Sequence, residues 1–268
     1  MTDKQDVPIK PASTILMLRD GDTGLEVLMV KRHHQIDFAS GAYVFPGGKV
    51  DESDGLTNAD EVRPLCSNSD AFDDLELAFR VAAIREAFEE ADLIFARKDG
   101  DIVSADMLDN MDQDRDALNN RQITMPEIAR NNGIELGLDL LTPFAHWVTP
   151  PIMPKRFDTR FYLAADLVGQ HAAHDGSEAV DTLWINPLKA IEEADEGRAT
   201  IIFPTRMQLV KLGRSNSVAA AIEAARNDTI VMVEPWTEKV DGKPFLRIPT
   251  EAGYGEIFEP LESIAGRR

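Results

Sequence analysis

One cysteine, Cys66, in 268 residues rules out an intrachain disulfide, and nothing in the chain points to an oxidising compartment. Cys66 stands in Leu65-Cys66-Ser67-Asn68 with no neighbouring base, so a catalytic thiolate is not the reading this stretch favours. Aromatic residues are few, at 7%, and no run approaches 18 apolar residues, so no transmembrane helix is expected. The leader Met1 to Lys10 is polar and lacks the apolar stretch of a secretion signal. Positive charge is also short: 28 Lys and Arg against 47 Asp and Glu give a net charge of -19. Such a surface repels DNA, RNA and anionic membranes, so neither a nucleic-acid polymer nor a membrane is expected as partner. The chain reads as soluble and cytoplasmic, and the reading leaves room for a homodimer. An acidic protein can still act on a small phosphorylated molecule if bound divalent cations offset the repulsion locally.

What the chain does have is a hydrophobic content of 43%, enough for a globular core. Ser13 to Arg19 and Leu25 to Arg32 read as a strand hairpin across Asp20-Gly21-Asp22-Thr23-Gly24. A short strand from Gly41 runs into Phe45-Pro46-Gly47-Gly48, read as a turn whose glycines permit close backbone approach. Lys49 to Glu76 is acidic and turn-rich and looks like an inserted loop. Helix is expected from Asp74 to Asp92. The interval 101–137 reads as a mainly helical insertion, with a capping box at Thr124 to Glu127. Further strands are expected at Leu140 to Thr149, Arg156 to Ala165 and Ala179 to Ile185. Helices follow at Pro187 to Ala194, Pro204 to Leu212 and Ser217 to Ala225, then one or two late strands. The mixture implies an α+β or α/β layered domain with a mixed central sheet.

The helix from Asp74 to Asp92 carries the chemistry. With Glu86 set at zero and about 100° per residue, Glu90 falls near 40° and Glu89 near 300°, while Leu77, Val81, Ile84 and Phe88 gather near 180°. Three carboxylates thus share one side of a helix that is apolar on the other. Like charges three and four residues apart repel unless a cation sits among them, and a divalent metal is the obvious candidate. The competing reading is a solvated face on a surface helix.

Gly48, an acid six positions on at Asp54, and then Arg85-Glu86-x-x-Glu89-Glu90 with Leu93 resemble the Nudix box. Thirty residues separate Asp54 from Arg85 where the family pattern has seven, so the box would carry an insertion, assigned to 55–77. Asp54 replaces a Glu, and Asp92 stands where a Gly ends the helix, a position where Asp tolerates the left-handed conformation. Arg32, Gly41 and Phe45-Pro46-Gly47-Gly48 are spaced as in the coenzyme A diphosphatase motif, with Asp37 and His33 departing from it. Together with Trp147 to Pro150 and Arg156 to Phe161, the interrupted box is similar to the peroxisomal coenzyme A diphosphatase-like branch of Nudix proteins.

The resemblance implies a Nudix-like α/β/α sandwich over residues 1–268, with the insertions 55–77 and 101–137 and a C-terminal extension at 203–268. It implies a Mg²⁺- or Mn²⁺-dependent hydrolase that cleaves the diphosphate bond of coenzyme A, an acyl derivative or a related nucleoside diphosphate compound. ADP-ribose, NADH and dinucleoside polyphosphates are alternative substrates, and a non-catalytic nucleotide-binding module is the alternative role. Glu86, Glu89 and Glu90 would hold the metal, with Glu89 and Glu90 also catalytic, and Arg85 would fix the rotamer of a box carboxylate. Glu178, in the polar loop with His171, His174 and Asp175, is the candidate general base. Arg32, Phe45, Gly47, Gly48, Arg156 and Arg160 are candidate substrate contacts. Arg156 and Arg160 share a strand face as phosphate clamps or, alternatively, pair with acids such as Asp158. Trp147 and Trp184 read as core residues.

Overall fold

The computed structural model describes residues 7–32, 41–167, 169–170, 172, 179–257 and 259–260. The chain begins with the hairpin β1 (Ile9–Gly21) and β2 (Gly24–Arg32), followed by the short strands β3 (Tyr43–Val44) and β4 (Gly47–Lys49). The turn helix α1 (Ala59–Val62) leads to the long helix α2 (Asp74–Ala91). Next come β5 (Ala96–Lys98), β6 (Asp101–Ile102), α3 (Ala105–Asp109), α4 (Asp112–Asn119), α5 (Met125–Asn132) and β7 (Glu135–Leu136). The long strands β8 (Thr142–Val148), β9 (Arg156–Ala165) and β10 (Ala179–Ile185) precede three helices, α6 (Pro187–Asp195), α7 (Phe203–Leu212) and α8 (Val218–Asn227). The chain closes with β11 (Met232–Val233), β12 (Trp236–Val240), β13 (Lys243–Arg247) and β14 (Glu259–Pro260).

The central sheet runs β10-β2-β1-β9-β8-β11, with β3 beside β2 and β4 beside β1. It is mixed: β1 lies parallel to β9, β11 parallel to β8, and the remaining pairs are antiparallel. Because side chains alternate across a strand, β1 feeds two cores. Ile15 and Met17 face the layer built on α2, whereas Leu16 and Leu18 face the layer built on α6, α7 and α8. The expected sandwich with a mixed central sheet is therefore present. The 203–268 segment is more than an appendage, since Met207, Leu209, Leu212, Ala221 and Ala225 are buried in that second core.

Helix α2 begins where its side chains dictate. Asp73 accepts a hydrogen bond from the Glu76 amide at the N-terminus, and Asp92 takes the left-handed conformation, φ 56°, at the C-terminus. The helix is not a surface helix with a solvated acidic face. Fourteen of its eighteen residues are buried, Arg80, Arg85, Glu86 and Glu90 among them. The face carrying the acids is covered by β4 and by the segment before α2, so the solvated-face reading fails. Arg80 anchors the buried helix by donating to the carbonyls of Leu138 and Leu141, both at 2.7 Å, with its guanidinium over the Phe72 ring.

Residues 50–73 differ from the expected loop. They fold into short helical turns that bury Val62 and Cys66, and Arg63 ties the segment together by donating to the Phe72 carbonyl and the Asp74 carboxylate. Burial pushes the Cys66 thiol up to about 12, which keeps it neutral. The 101–137 interval is mainly helical and is closed at its base by the three-stranded sheet β6-β5-β7. Apolar Leu93 to Ala96, before the break at Asp99-Gly100, reads as a strand start, which β5 matches, whereas the two-residue partners β6 and β7 carry no period to read. Among the described residues no helix is long and apolar enough to cross a membrane.

Candidate active site

Gly47 and Gly48 form strand β4, paired with Thr14 and Ser13 of β1, rather than the expected turn. Neither glycine has a positive φ. Their lack of a side chain serves proximity instead: a Cβ on Gly47 would lie 2.6 Å from the Ser13 carbonyl oxygen, and one on Gly48 would overlap the Glu86 carboxylate. The sheet edge can thus lie directly against the acidic face of α2. The Gly47 amide donates to Glu90 Oε2 at 3.0 Å, so the two parts of the site are joined by a hydrogen bond. Gly48→Ala is expected to displace Glu86 and lower kcat/KM by about 10²-fold, the scale of an ångström-sized misplacement. Steady-state rates beside a melting curve check this, and a folded variant with unchanged kcat/KM would refute it.

Arg85 organises the carboxylates. Its Nε lies 3.0 Å from Asp54 Oδ1, its Nη1 2.9 Å from Glu86 Oε1 and 2.6 Å from Glu89 Oε2, and its Nη2 donates to the Lys49 carbonyl at 2.7 Å. Asp54 is fully buried and also accepts from the Asp51 amide at 2.8 Å. One guanidinium therefore locks the β4 backbone, the Asp54 turn and two of the three α2 acids. The acids outnumber it. Burial pushes Glu86 up to about 8, with Arg85 opposing and Glu89 adding to the rise, and burial also raises Glu89 and Asp54.

These acids open onto a cavity of about 920 Å³. Glu86, Glu89, Glu90, Gly47 and Gly48 line it together with Arg85 and with five further cationic residues, Lys10, Lys49, Arg121, Lys155 and Arg156. A negative cluster and a positive one share a single water-accessible volume in a strongly acidic chain. The donor set suits a hard divalent cation, which prefers carboxylate oxygens. One further feature agrees with that donor set: burial of these acids together pushes Glu86 upward, which a neighbouring cation would oppose. As the side chains stand, no three Asp, Glu, His or Cys groups among the described residues already converge as a metal site. Arg85 holds Glu86 and Glu89, and Glu90 accepts from the Gly47 amide.

Of the candidate substrate contacts, Gly47, Gly48 and Arg156 line the cavity. Arg156 also pairs with Glu234 at 2.6 Å and donates to the Thr149 carbonyl. Phe45 does not reach the cavity: its ring is 3% exposed and packs in the second core with Leu16, Leu18 and Phe161. Arg160 is likewise engaged elsewhere, ion-paired to Glu76 with its guanidinium 4.4 Å from the Phe79 ring centre. Acid pairing, the alternative considered for both arginines, is what each of them makes, though with Glu234 and Glu76 rather than Asp158, which pairs with His146. Glu178, His171, His174, Asp175, His33 and Asp37 lie outside the described residues, as does the side chain of Arg32. Trp147 is buried and donates to the Tyr254 hydroxyl, and Trp184 packs on the first core with Arg19 over its ring.

Lys10, Lys49, Arg121 and Lys155 were not singled out from the sequence. Their only signal there is positive charge in an acidic chain, and they come from four separate segments that the fold alone brings together.

Comparison with known proteins accords with this geometry. Residues 61–212 match the family model described as NUDT19 Nudix domain. "Putative nudix hydrolase 7" of Caenorhabditis elegans is 31% identical over 205 residues, covering 76% of this chain and 60% of that protein. The acyl-coenzyme A diphosphatase NUDT19 of Xenopus laevis is 26% identical over 246 residues, covering 76% of this chain and 64% of that one. The chain spans between 60% and 64% of the length of the curated relatives it matches. Among solved structures, a NUDIX hydrolase from Alicyclobacillus acidocaldarius superposes with a TM-score of 0.64 at 29% identity, over 85% of this chain and 99% of that one.

Proposed function

The chain belongs to the NUDT19 Nudix domain family, and on that premise we propose that it hydrolyses the diphosphate bond of coenzyme A, an acyl-coenzyme A or a related nucleoside diphosphate derivative with the help of Mg²⁺ or Mn²⁺. The observation that carries this reading is the meeting of Glu86, Glu89 and Glu90 with five Lys and Arg residues besides Arg85 around one cavity. Acyl-coenzyme A is the first substrate class to try because the Xenopus relative bears that name. ADP-ribose, NADH and dinucleoside polyphosphates are the alternatives within the same chemistry.

Glu86, Glu89 and Glu90 would hold the ion through their oxygens. When bound, a divalent cation offsets diphosphate charge and makes an attacking water more acidic. The other parts of the step fall to the chain itself. Lys10, Lys49, Lys155, Arg121 and Arg156 orient the anionic substrate, and the bare backbone of Gly47 and Gly48 keeps β4 against the acids of α2. Arg85 keeps Glu86 and Glu89 in register with β4. Water adds to phosphorus, the bond to the bridging oxygen breaks, and a carboxylate takes the water's proton. Glu178, the sequence-based candidate, and Glu89, the least buried of Glu86, Glu89 and Glu90, are the two to compare for that last role. The segments 55–77 and 101–137 are proposed as insertions relative to a minimal box and fold.

Incubation with Mg²⁺ and a panel of coenzyme A, acyl-coenzyme A, ADP-ribose, NADH and dinucleoside polyphosphates tests the proposal. Phosphate-containing products from at least one of them are expected. No product above a Glu90→Gln control would overturn the enzymatic reading and leave a nucleotide-binding module. Metal binding has its own readout. Mg²⁺ at about 100 times its Kd should stabilise the fold by about 2.7 kcal/mol. A melting temperature indifferent to Mg²⁺ and Mn²⁺ would argue that the acids hold no ion.

A further inference from the structure

The C-terminal end of α2 is gripped from outside. Arg115 of α4 donates from Nε to the Phe88 carbonyl at 2.8 Å and from Nη2 to the Glu89 carbonyl at 3.0 Å. Its Nη1 lies 3.6 Å from Asp92 Oδ2. The Phe88 carbonyl also accepts from the Asp92 amide at 3.2 Å, and the carbonyls that end a helix carry partial negative charge, so a forked cation placed there binds and neutralises them together. The carbonyl that Arg115 holds at Glu89 belongs to one proposed metal ligand and adjoins another, Glu90. Asp109 and Asp112 add negative charge around Asp92, which makes Arg115 the local counter-ion. Helix α4 itself is seated in the core by Met111 and Leu118, 1% and 4% exposed.

The outgoing turn of the same helix reaches the cavity. Leu118, Asn119, Arg121, Ile123 and Thr124 all line it. Arg121 sits in the left-handed conformation, φ 56°, which a non-glycine residue rarely adopts. Its amide donates to the Leu118 carbonyl at 2.8 Å, fixing the turn that carries the side chain.

We propose that α4 is a working part of the site, in which Arg115 positions Glu89 and Glu90 by holding the last turn of α2 and Arg121 binds the anionic part of the substrate. Arg115 acts through α2 and is a positioning residue, whereas Arg121 touches the ligand. The inference rests on the metal-assisted reading given above. It goes further by assigning to the 101–137 segment two separable duties, one toward the metal and one toward the substrate.

Mn²⁺ titration followed by electron paramagnetic resonance, with kcat and KM at saturating metal and melting curves alongside, separates these duties. Arg115→Gln is expected to weaken Mn²⁺ binding about tenfold at temperatures well below melting, and Arg115→Lys to restore part of the loss, since Lys keeps the charge without the fork. Arg121→Gln is expected to raise KM about tenfold with Mn²⁺ affinity unchanged. If Arg115→Gln does not fold, Arg115→Lys carries the comparison. Wild-type Mn²⁺ affinity in the folded Arg115 variants, or an unchanged KM in Arg121→Gln, overturns the proposal alone. A wild-type protein that binds no Mn²⁺ overturns it together with the functional reading.

Discussion

Glu90→Gln is expected to lower turnover by about 10²- to 10⁴-fold, the range associated with losing a positioned catalytic carboxylate. The substitution is nearly isosteric. Gln retains an oxygen able to accept from the Gly47 amide, the contact Glu90 makes at 3.0 Å, so the link between α2 and β4 survives. What disappears is a negative charge at a buried position, 5% exposed, beside two further acids. Stability should therefore stay level or rise slightly, because one source of like-charge repulsion is gone. On the proposed reading the loss falls on the chemistry and on metal affinity. A variant with reduced melting temperature and undiminished turnover would reverse the assignment.

Arg85→Met should be the most destabilising single change at the site, by about 3–5 kcal/mol, because it strands Asp54 in the core without its partner. Asp54 is 0% exposed, so its carboxylate depends on Arg85 and the Asp51 amide rather than on bulk water. A loss of this size is a large fraction of the net stability of a folded domain and should lower Tm by about 10 °C. Adding Asp54→Asn removes the stranded charge while preserving an acceptor for the Asp51 amide, and the double variant should melt above Arg85→Met alone. Additive effects in that cycle would mean that the pair contributes nothing beyond its separate members. Activity should fall in both variants, since Glu86 and Glu89 lose the guanidinium that holds them.

The long elements could be read in advance because their signals are local. The apolar spacing of Leu77, Val81, Ile84 and Phe88 marks α2, and Asp73 and Asp92 close it at both ends. Strands β9 and β10 stand where the pattern puts them, Arg156–Ala165 and Ala179–Ile185. Four things are not legible in this way. Two glycines carry no strand signal, yet Gly47 and Gly48 form β4 because β1 and Glu86 leave room for nothing larger. The direction of Phe45 depends on which sheet face its short segment presents, and that is a tertiary choice. The partners of Arg156 and Arg160 lie 78 and 84 residues away at Glu234 and Glu76, beyond any local pattern. The acid cluster of the site was visible as a motif. The cationic wall was not, because its members come from separate segments and share nothing but the cavity.

The hydrogen bond from the Gly47 amide to Glu90 also makes a spectroscopic reporter of the site. Most strand amides exchange with solvent according to the opening of their own ladder, but this one is protected by a side chain from a distant helix. Its exchange rate follows the last turn of α2 in place of the sheet edge. Loosening that turn should speed exchange at Gly47 while Ile15, whose amide donates to the Pro46 carbonyl at 3.0 Å, stays protected. One backbone proton can thus register the order of the acidic wall without substrate, product or turnover.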